Sequence, residues 1–359
     1  MSKLEKLYDR TDAEKWAHPE MEEGFAAGEM SDSKLDLVGM VYNTEIPFEK
    51  RKAEHDNLLN VLEWFPASSG YDPKVATTYQ IPGCPEEPQT GASAIVFQPQ
   101  NVNKKKLSCI VYLAPGGLHV CMDFAIDCAK MANDAGAVVV CCKYRTIYDG
   151  GGYPETINDL HAIYKWVVEN AEEIGINPDK IVVRGSSSGG HLALALCHRL
   201  KRYGYQPRGC VAEVPIPDDR TVYPSSKRIQ DWGGAEVFAS SQAWLTYKNA
   251  NPATVPPEAF ANHATAEDCI GLPPTFIHTT DSEVSVDPDM EYASKLIQAG
   301  VYTDIHVWGG GNHNGFAIAE RMPDKSEYVQ LYMDEVLRQI KDCFKYDLRR
   351  QWIADELNK

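Results

Sequence analysis

KIVVRGSSSGGHLALALCH, residues Lys180 to His198, is the stretch from which the fold can be read. Ile181, Val182 and Val183 are consecutive β-branched apolar residues, as a strand covered on both faces requires. Leu192, Leu194, Ala195 and Leu196 follow as a helical run. Between them Gly185-Ser186-Ser187-Ser188-Gly189 fits G-x-S-x-G, with Gly190 directly after it. Strand, tight turn and helix together are the context a nucleophile elbow needs. So sharp a turn admits only small side chains beside the central serine, and glycine on both flanks lets the helix approach the strand. Ser187 then stands at a helix N-terminus, where backbone N–H groups favour a developing negative charge. A phosphate loop of the Walker type would need Gly-Lys-Ser/Thr, which is absent.

Composition narrows the partners. The chain has 359 residues, enough for one large core. A formal net charge of −16 argues against a nucleic-acid partner. The one basic run, Lys104-Lys105-Lys106, precedes a strand and reads as an exposed loop. No apolar stretch has the length of a membrane span, and the opening MSKLEKLYDRTDAEKW has no signal-peptide core. Ten cysteines are scattered, several of them (Cys109, Cys141, Cys142, Cys197) inside apolar runs and none in a paired C-x-x-C. That usage predicts buried thiols in a reducing cytoplasm, with no disulfide framework and no metal.

Working outward, the chain alternates strands and helices. Strands are expected at VATTYQI and ASAIVFQP, separated by a Pro/Gly-rich turn and therefore antiparallel neighbours. Further strands are expected at 107–113, 137–144, 209–216, 273–280 and 304–309, with the elbow strand at KIVVRG. Helices are expected at 123–135, 156–174, 191–203, 290–300 and 324–344. The alternation predicts an α/β fold: a mostly parallel sheet with helices on both faces. Residues 1–65 read as partly apolar helices, either a packing appendage or a lid. Residues 217–272 form a long insertion, and long ordered insertions are usually functional.

In such sheets ligands sit beyond the carboxyl ends of the strands. After the 107–113 strand comes Ala114-Pro115-Gly116-Gly117-Leu118. The N–H groups of Gly116 and Gly117, with that of Ser188, would form an oxyanion hole. A serine nucleophile needs a base, and His313 follows the last strand on a glycine-rich loop. His191 and His198, at about 1.5 Å rise per residue, stand roughly 10 Å apart on one helix, too far to share a metal. They read as packing or surface residues, His119 and His161 have no position comparable to that of His313, and His278 lies inside a strand. An acid is expected after the strand that precedes the histidine's, where Asp281, Glu283 and Asp287 all stand. Asp218 and Asp219 read as ligands of backbone or solvent.

From about residue 107 to 316 the chain resembles the hormone-sensitive-lipase-like carboxylesterases of the α/β-hydrolase superfamily. The resemblance is carried by Tyr112 to Gly117, Lys143-Tyr144-Arg145, Asn158-Asp159 through Trp166 to Ile181, GSSSGG, Gly271 to Pro274, Tyr292-Ala293 through Ala299-Gly300, and His313 to Phe316. In that family the acid stands nine positions before a Tyr-Ala pair, and counting back from Tyr292 gives Glu283, with Asp281 as reserve. The resemblance implies an N-terminal helical cap (1–65) on a catalytic domain (66–359), with the 217–272 insertion lining the pocket. Three departures stand out. Ala114-Pro115 replaces the leading His-Gly of His-Gly-Gly-Gly, removing the histidine that braces the loop. Ser186 and Ser188 flank the nucleophile in place of Asp and Ala. Glutamate replaces the usual aspartate.

The resulting expectation is a cytoplasmic serine carboxylesterase acting on acetyl to hexanoyl esters of small molecules. Ser187, His313 and Glu283 are catalytic, Gly116, Gly117 and Ser188 form the oxyanion hole, and no metal or organic cofactor is needed. Trp232, Phe238, Trp244 and Tyr247 fill either the alcohol pocket or the core. An exposed edge strand would permit a homodimer. The same triad also serves amidases, peptidases and acyltransferases. A non-catalytic receptor on this fold typically lacks the histidine, which is present here.

Overall fold

The computed structural model describes residues 46–54, 76–100, 102, 106–121, 125–220, 222–228, 254–311, 313, 316 and 326–357. The strands are β1 (Ala76–Gln80), β2 (Ser93–Phe97), β3 (Leu107–Leu113), β4 (Val138–Lys143), β5 (Ile176–Ser186), β6 (Gly209–Glu213), β7 (Thr275–Thr280) and β8 (Thr303–Trp308). They form one eight-stranded sheet in the order β1-β2-β4-β3-β5-β6-β7-β8. β2 runs antiparallel to both its neighbours, and every later pairing is parallel.

The helices that matter here are α1 (Ala125–Ala135), α2 (Glu155–Glu169), α3 (Ser188–Arg202), α4 (Pro224–Arg228), α5 (Val286–Gln298), α6 (Glu327–Lys345) and α7 (Gln351–Leu357). Strand side chains alternate between two apolar layers. Cys109, Val111, Leu113, Ile181 and Val183 enter a core shared with α2, α3 and α5. Ile110, Tyr112 and Val182 enter a second core shared with α1 and α6. Both faces are therefore dry, which is why the central strands read as unbroken apolar runs.

Several boundaries depart from expectation, each for a local reason. α2 ends at Glu169, because the side chain and backbone N–H of Asn170 both turn back onto the Trp166 carbonyl (2.8 and 2.9 Å). β5 begins at Ile176, where it pairs with Leu107, and a register shift before Cys109 absorbs the Asn177-Pro178-Asp179 segment. α5 starts at Val286 despite Pro288, since a proline in the first turn withholds no N–H that the helix uses. α7 was not anticipated. Of the 1–65 region only 46–54 are described, and 48–54 are helical. Trp232, Phe238, Trp244 and Tyr247 lie outside the described residues.

The β5–α3 turn brings backbone into close contact at three glycines. A Cβ on Gly185 would collide with the Gly189 carbonyl, and one on Gly189 with the Leu113 carbonyl. On Gly190 it would lie 2.8 Å from the Glu213 oxygen. All three obstacles are backbone atoms that cannot rotate away. Gly189→Ala is therefore expected to destabilise the protein by at least about 3 kcal/mol, or to prevent folding, in chemical denaturation. Gly204→Ala serves as the control. That glycine, unlike Gly189, has a positive φ, yet open space surrounds its Cβ position, so it should cost only about 1 kcal/mol.

Candidate active site

Ser187 occupies the apex of this turn with φ 55° and ψ −123°, a conformation that costs a non-glycine residue about 1–3 kcal/mol. The turn is held by the Ser187 N–H, which donates to the Glu213 carbonyl at the end of β6 (2.8 Å). The Glu213 side chain is also engaged: Arg184 donates to both its oxygens (2.6 and 3.1 Å), and the Tyr332 hydroxyl to one. A buried, saturated ion pair thus sits beneath the serine.

Three residues distant in sequence meet above it. Ser187 Oγ lies 2.8 Å from His313 Nε2, and His313 Nδ1 lies 2.7 Å from Glu283 Oε2. Glu283 is 3% exposed, and its other oxygen accepts the Val284 N–H (3.1 Å). The side chain therefore curls back over its own loop, which accommodates the extra methylene of a glutamate. Asp281 is turned elsewhere: its Oδ1 accepts the Gly310 N–H (2.8 Å). Together with the Tyr328 hydroxyl donating to the Gly309 carbonyl (2.8 Å), it braces the loop that carries His313. Asp287 accepts the Ser225 N–H of α4 (2.8 Å), while Ser225 Oγ donates to the Val284 carbonyl (2.9 Å). All three acids of this segment are thus engaged, and only Glu283 reaches the imidazole. Sequence reasoning missed the bracing by Tyr328 and α4, since neither segment carries a motif.

Leu113 pairs with Gly185, so the loop after β3 starts beside the turn. Gly116, Gly117 and Leu118 have φ values of 144°, 61° and 66°. The Gly116 carbonyl accepts the N–H of His119 (3.1 Å) and of Val120 (2.9 Å). Tyr144 donates its hydroxyl to the Ala114 carbonyl (2.9 Å), and His119 Nδ1 lies 2.8 Å from the Gly117 carbonyl. The loop thus has bracing of its own where the family's leading histidine is missing. Ser188, the first residue of α3, presents its N–H at the helix start.

Three of the other histidines, His191, His198 and His278, serve packing. His191 stacks on Phe260, and His198 Nε2 meets the Tyr292 hydroxyl (3.0 Å). His278 bridges Gln339 (2.7 Å) and Trp308 (3.1 Å). Burial pushes His191 and His198 down to about 3, and His278 to about 4. Asp218 accepts hydrogen bonds from Arg220, Tyr223 and Asn262, and Asp219 pairs with His263 (2.5 Å). Three groups, Cys84/Glu86/His161, Asp218/Asp219/His263 and Asp304/His306/Glu335, bring potential metal ligands within 4.8 Å of one another. Each already contains a carboxylate paired with arginine: Glu86 with Arg199 and Arg202, Asp218 with Arg220, and Glu335 with Arg338.

Comparison with known proteins agrees with this fold. A family model described as alpha/beta hydrolase fold matches residues 116–317. Esterase LipU of Mycobacterium tuberculosis is 32% identical over 176 residues, covering 47% of this chain and 56% of LipU. The ethyl acetate hydrolase of Pseudomonas putida is 26% identical over 235 residues, covering 63% of this chain and 72% of that protein. The chain spans about half the length of LipU and, at 42%, less of the carboxylesterase/phospholipase LipF. Among solved structures, a bacterial heroin esterase superposes with a TM-score of 0.73 at 22% identity, covering 92% of this chain and 98% of that one. It is a likeness of fold.

One buried carboxyl, Asp289, lies against the acid loop with no cation paired to it among the described residues. Asp289 is fully buried; Ser285 Oγ donates to its Oδ2 (3.2 Å), and its Oδ1 has no hydrogen-bond partner among the described residues. Burial, with the nearby Glu283 charge adding to it, pushes this carboxyl well above the ordinary range. A raised folded-state pKa contributes stability below the unfolded value of 3.8 that is lost as pH rises toward the folded value. Asp289→Asn should therefore match wild type near pH 4 and exceed it by at least about 1 kcal/mol at pH 8. Urea denaturation across that range measures the difference, and the buried histidines cancel because both proteins contain them.

Proposed function

This chain belongs to the hormone-sensitive-lipase-like family of α/β-hydrolases, and on that premise we propose that it is a serine carboxylesterase cleaving short- to medium-chain esters through an acyl-enzyme. The observation that carries the reading is the continuous relay from Ser187 Oγ through His313 to Glu283, with contacts of 2.8 and 2.7 Å. Ser187 Oγ attacks the acyl carbon while His313 Nε2 takes its proton. Glu283 Oε2 holds the Nδ1 hydrogen, fixing the tautomer and stabilising the imidazolium. The N–H groups of Gly116, Gly117 and Ser188 receive the tetrahedral oxyanion. Collapse expels the alcohol, which takes the proton from His313, and a water activated by the same imidazole releases the acid. Neither a metal nor an organic cofactor enters these steps.

The reading extends to the rest of the chain. Residues 1–65 act as a helical cap, 66–359 as the catalytic domain, and the 217–272 insertion lines the alcohol side. The substrate is a small-molecule ester, and no helix among the described residues is long and apolar enough to cross a membrane. A cytoplasmic location is supported by the absence of any disulfide among the described residues. A homodimer through the β8 edge is supported by the position of β8 at one end of the sheet and by Val307, 44% exposed on it.

Activity is tested with p-nitrophenyl esters from acetate to hexanoate against a matched anilide. Ester turnover should dominate, and Ser187→Ala should lower it by at least about 10³-fold. Unchanged turnover of every ester in that variant removes the reading, and faster anilide cleavage replaces it with an amidase. Glu283→Gln should lose about 10³–10⁴-fold in kcat, and Asp281→Asn no more than about tenfold. The reverse ranking would exchange their roles. Light scattering should give about twice the 40.0 kDa chain mass, returning to the monomer in Val307→Lys.

A further inference from the structure

An oxyanion hole works when its donors are aimed before the charge appears, since no reorganisation is then needed at the moment of reaction. The loop that supplies two of these donors is poorly suited to hold itself. It contains two adjacent glycines, and three consecutive residues have positive φ, including the non-glycine Leu118. A trans peptide points its N–H opposite to its carbonyl. The bonds from His119 N and Val120 N to the Gly116 carbonyl therefore aim the Gly117 N–H. They leave the far side of Gly117 to be fixed by something else.

That position is taken by a side chain. His119 is fully buried, and its Nδ1 lies 2.8 Å from the Gly117 carbonyl. A carbonyl oxygen only accepts, so the imidazole must carry a hydrogen on Nδ1. The ring packs on Tyr148 (centroids 5.3 Å apart), and Tyr148 packs on Phe48 of the 48–54 helix (5.3 Å). The turn bearing Tyr148 is itself tied to the loop, since the Ile147 N–H donates to the Leu118 carbonyl (3.1 Å). His119 thus stands between the glycine loop and the packing that connects that loop to the N-terminal region.

We propose that His119 is a positioning residue of the oxyanion loop: its Nδ1–H holds the Gly117 carbonyl, fixing the Gly117–Leu118 peptide on the far side of Gly117, so that Gly117 cannot swing about its own dihedrals and its N–H keeps a fixed direction. The proposal rests on the esterase reading above and assigns His119 no contact with substrate. Asparagine is the informative replacement, because its amide nitrogen falls close to the position of Nδ1 and donates the same hydrogen bond.

His119→Ala is expected to lower kcat about 10- to 100-fold with KM changed less than about threefold, below the 10²–10³-fold loss of a whole oxyanion donor. Affinity for a trifluoromethyl ketone, which forms the tetrahedral adduct, should fall in parallel, while affinity for the carboxylate product stays within about twofold. His119→Asn should recover kcat to within about fivefold of wild type. A kcat in His119→Ala within twofold of wild type overturns the proposal. So does a loss in which substrate, product and ketone binding weaken together. If the alanine variant does not fold, a folded asparagine variant with kcat below about a hundredth of wild type overturns it alone. Wild-type protein that turns over no ester and is not labelled at Ser187 by an organophosphate would instead end the esterase reading.

Discussion

The fold depends on a place where side chains are forbidden. At the β5–α3 turn, three glycines let the backbone of the helix start lie against the ends of β3 and β6. Because both faces of the sheet are apolar, the alternation of side chains along β5 does little to fix its register. The close backbone approaches at Gly185, Gly189 and Gly190 do, and so does the Ser187 N–H on the Glu213 carbonyl. The strain at Ser187 persists because these contacts over-determine it. The Arg184–Glu213 pair below belongs to the same argument. Both residues are buried, and removing one partner of such a pair costs about 3–5 kcal/mol, whereas the intact pair adds little net stability. Its value lies in location: it anchors the strand end whose carbonyl holds the serine.

The other half of the site is built from two loops at consecutive strand ends. β7 leads to Glu283 and β8 to His313, and the strands pair in register from Thr275 with Thr303 to Thr280 with Trp308. Asp281 reaches from one loop to the backbone of the other, so the acid and the imidazole are set relative to each other before either meets Ser187. A relay of this kind has to be held to within about 0.5 Å, and these backbone contacts supply that hold.

Much of this was legible in the sequence because short-range chemistry enforced it. The β-branched run before GSSSGG, the paired glycines after β3 and the histidine beyond β8 each follow from what one turn or strand end demands. The choice between Asp281 and Glu283 was not legible from the residues. Both sit within three positions of the strand end, and proximity favours the aspartate; only the family spacing pointed to Glu283. The structure separates them through reach and direction, since Glu283 folds back onto Val284 N while Asp281 faces Gly310 N. The roles of Tyr328, His119 and Ser225 were likewise hidden. Each acts on backbone atoms of a loop, leaving no side-chain pattern to find, and Tyr328 and Ser225 act across 19 and 59 or more residues.

The clamp between α4 and the acid loop ties two tasks that could have been separate. α4 belongs to the 217–272 insertion, the segment proposed above to line the alcohol side. Yet Ser225 exchanges hydrogen bonds with Asp287 and Val284, the latter the immediate neighbour of Glu283. Remodelling this segment to suit a bulkier alcohol therefore also perturbs the orientation of the imidazole. On the proposed reading, selectivity and turnover are mechanically linked, and a grafted insertion that preserves the serine–aspartate clasp starts from an aligned relay, whereas one that discards it must rebuild that alignment.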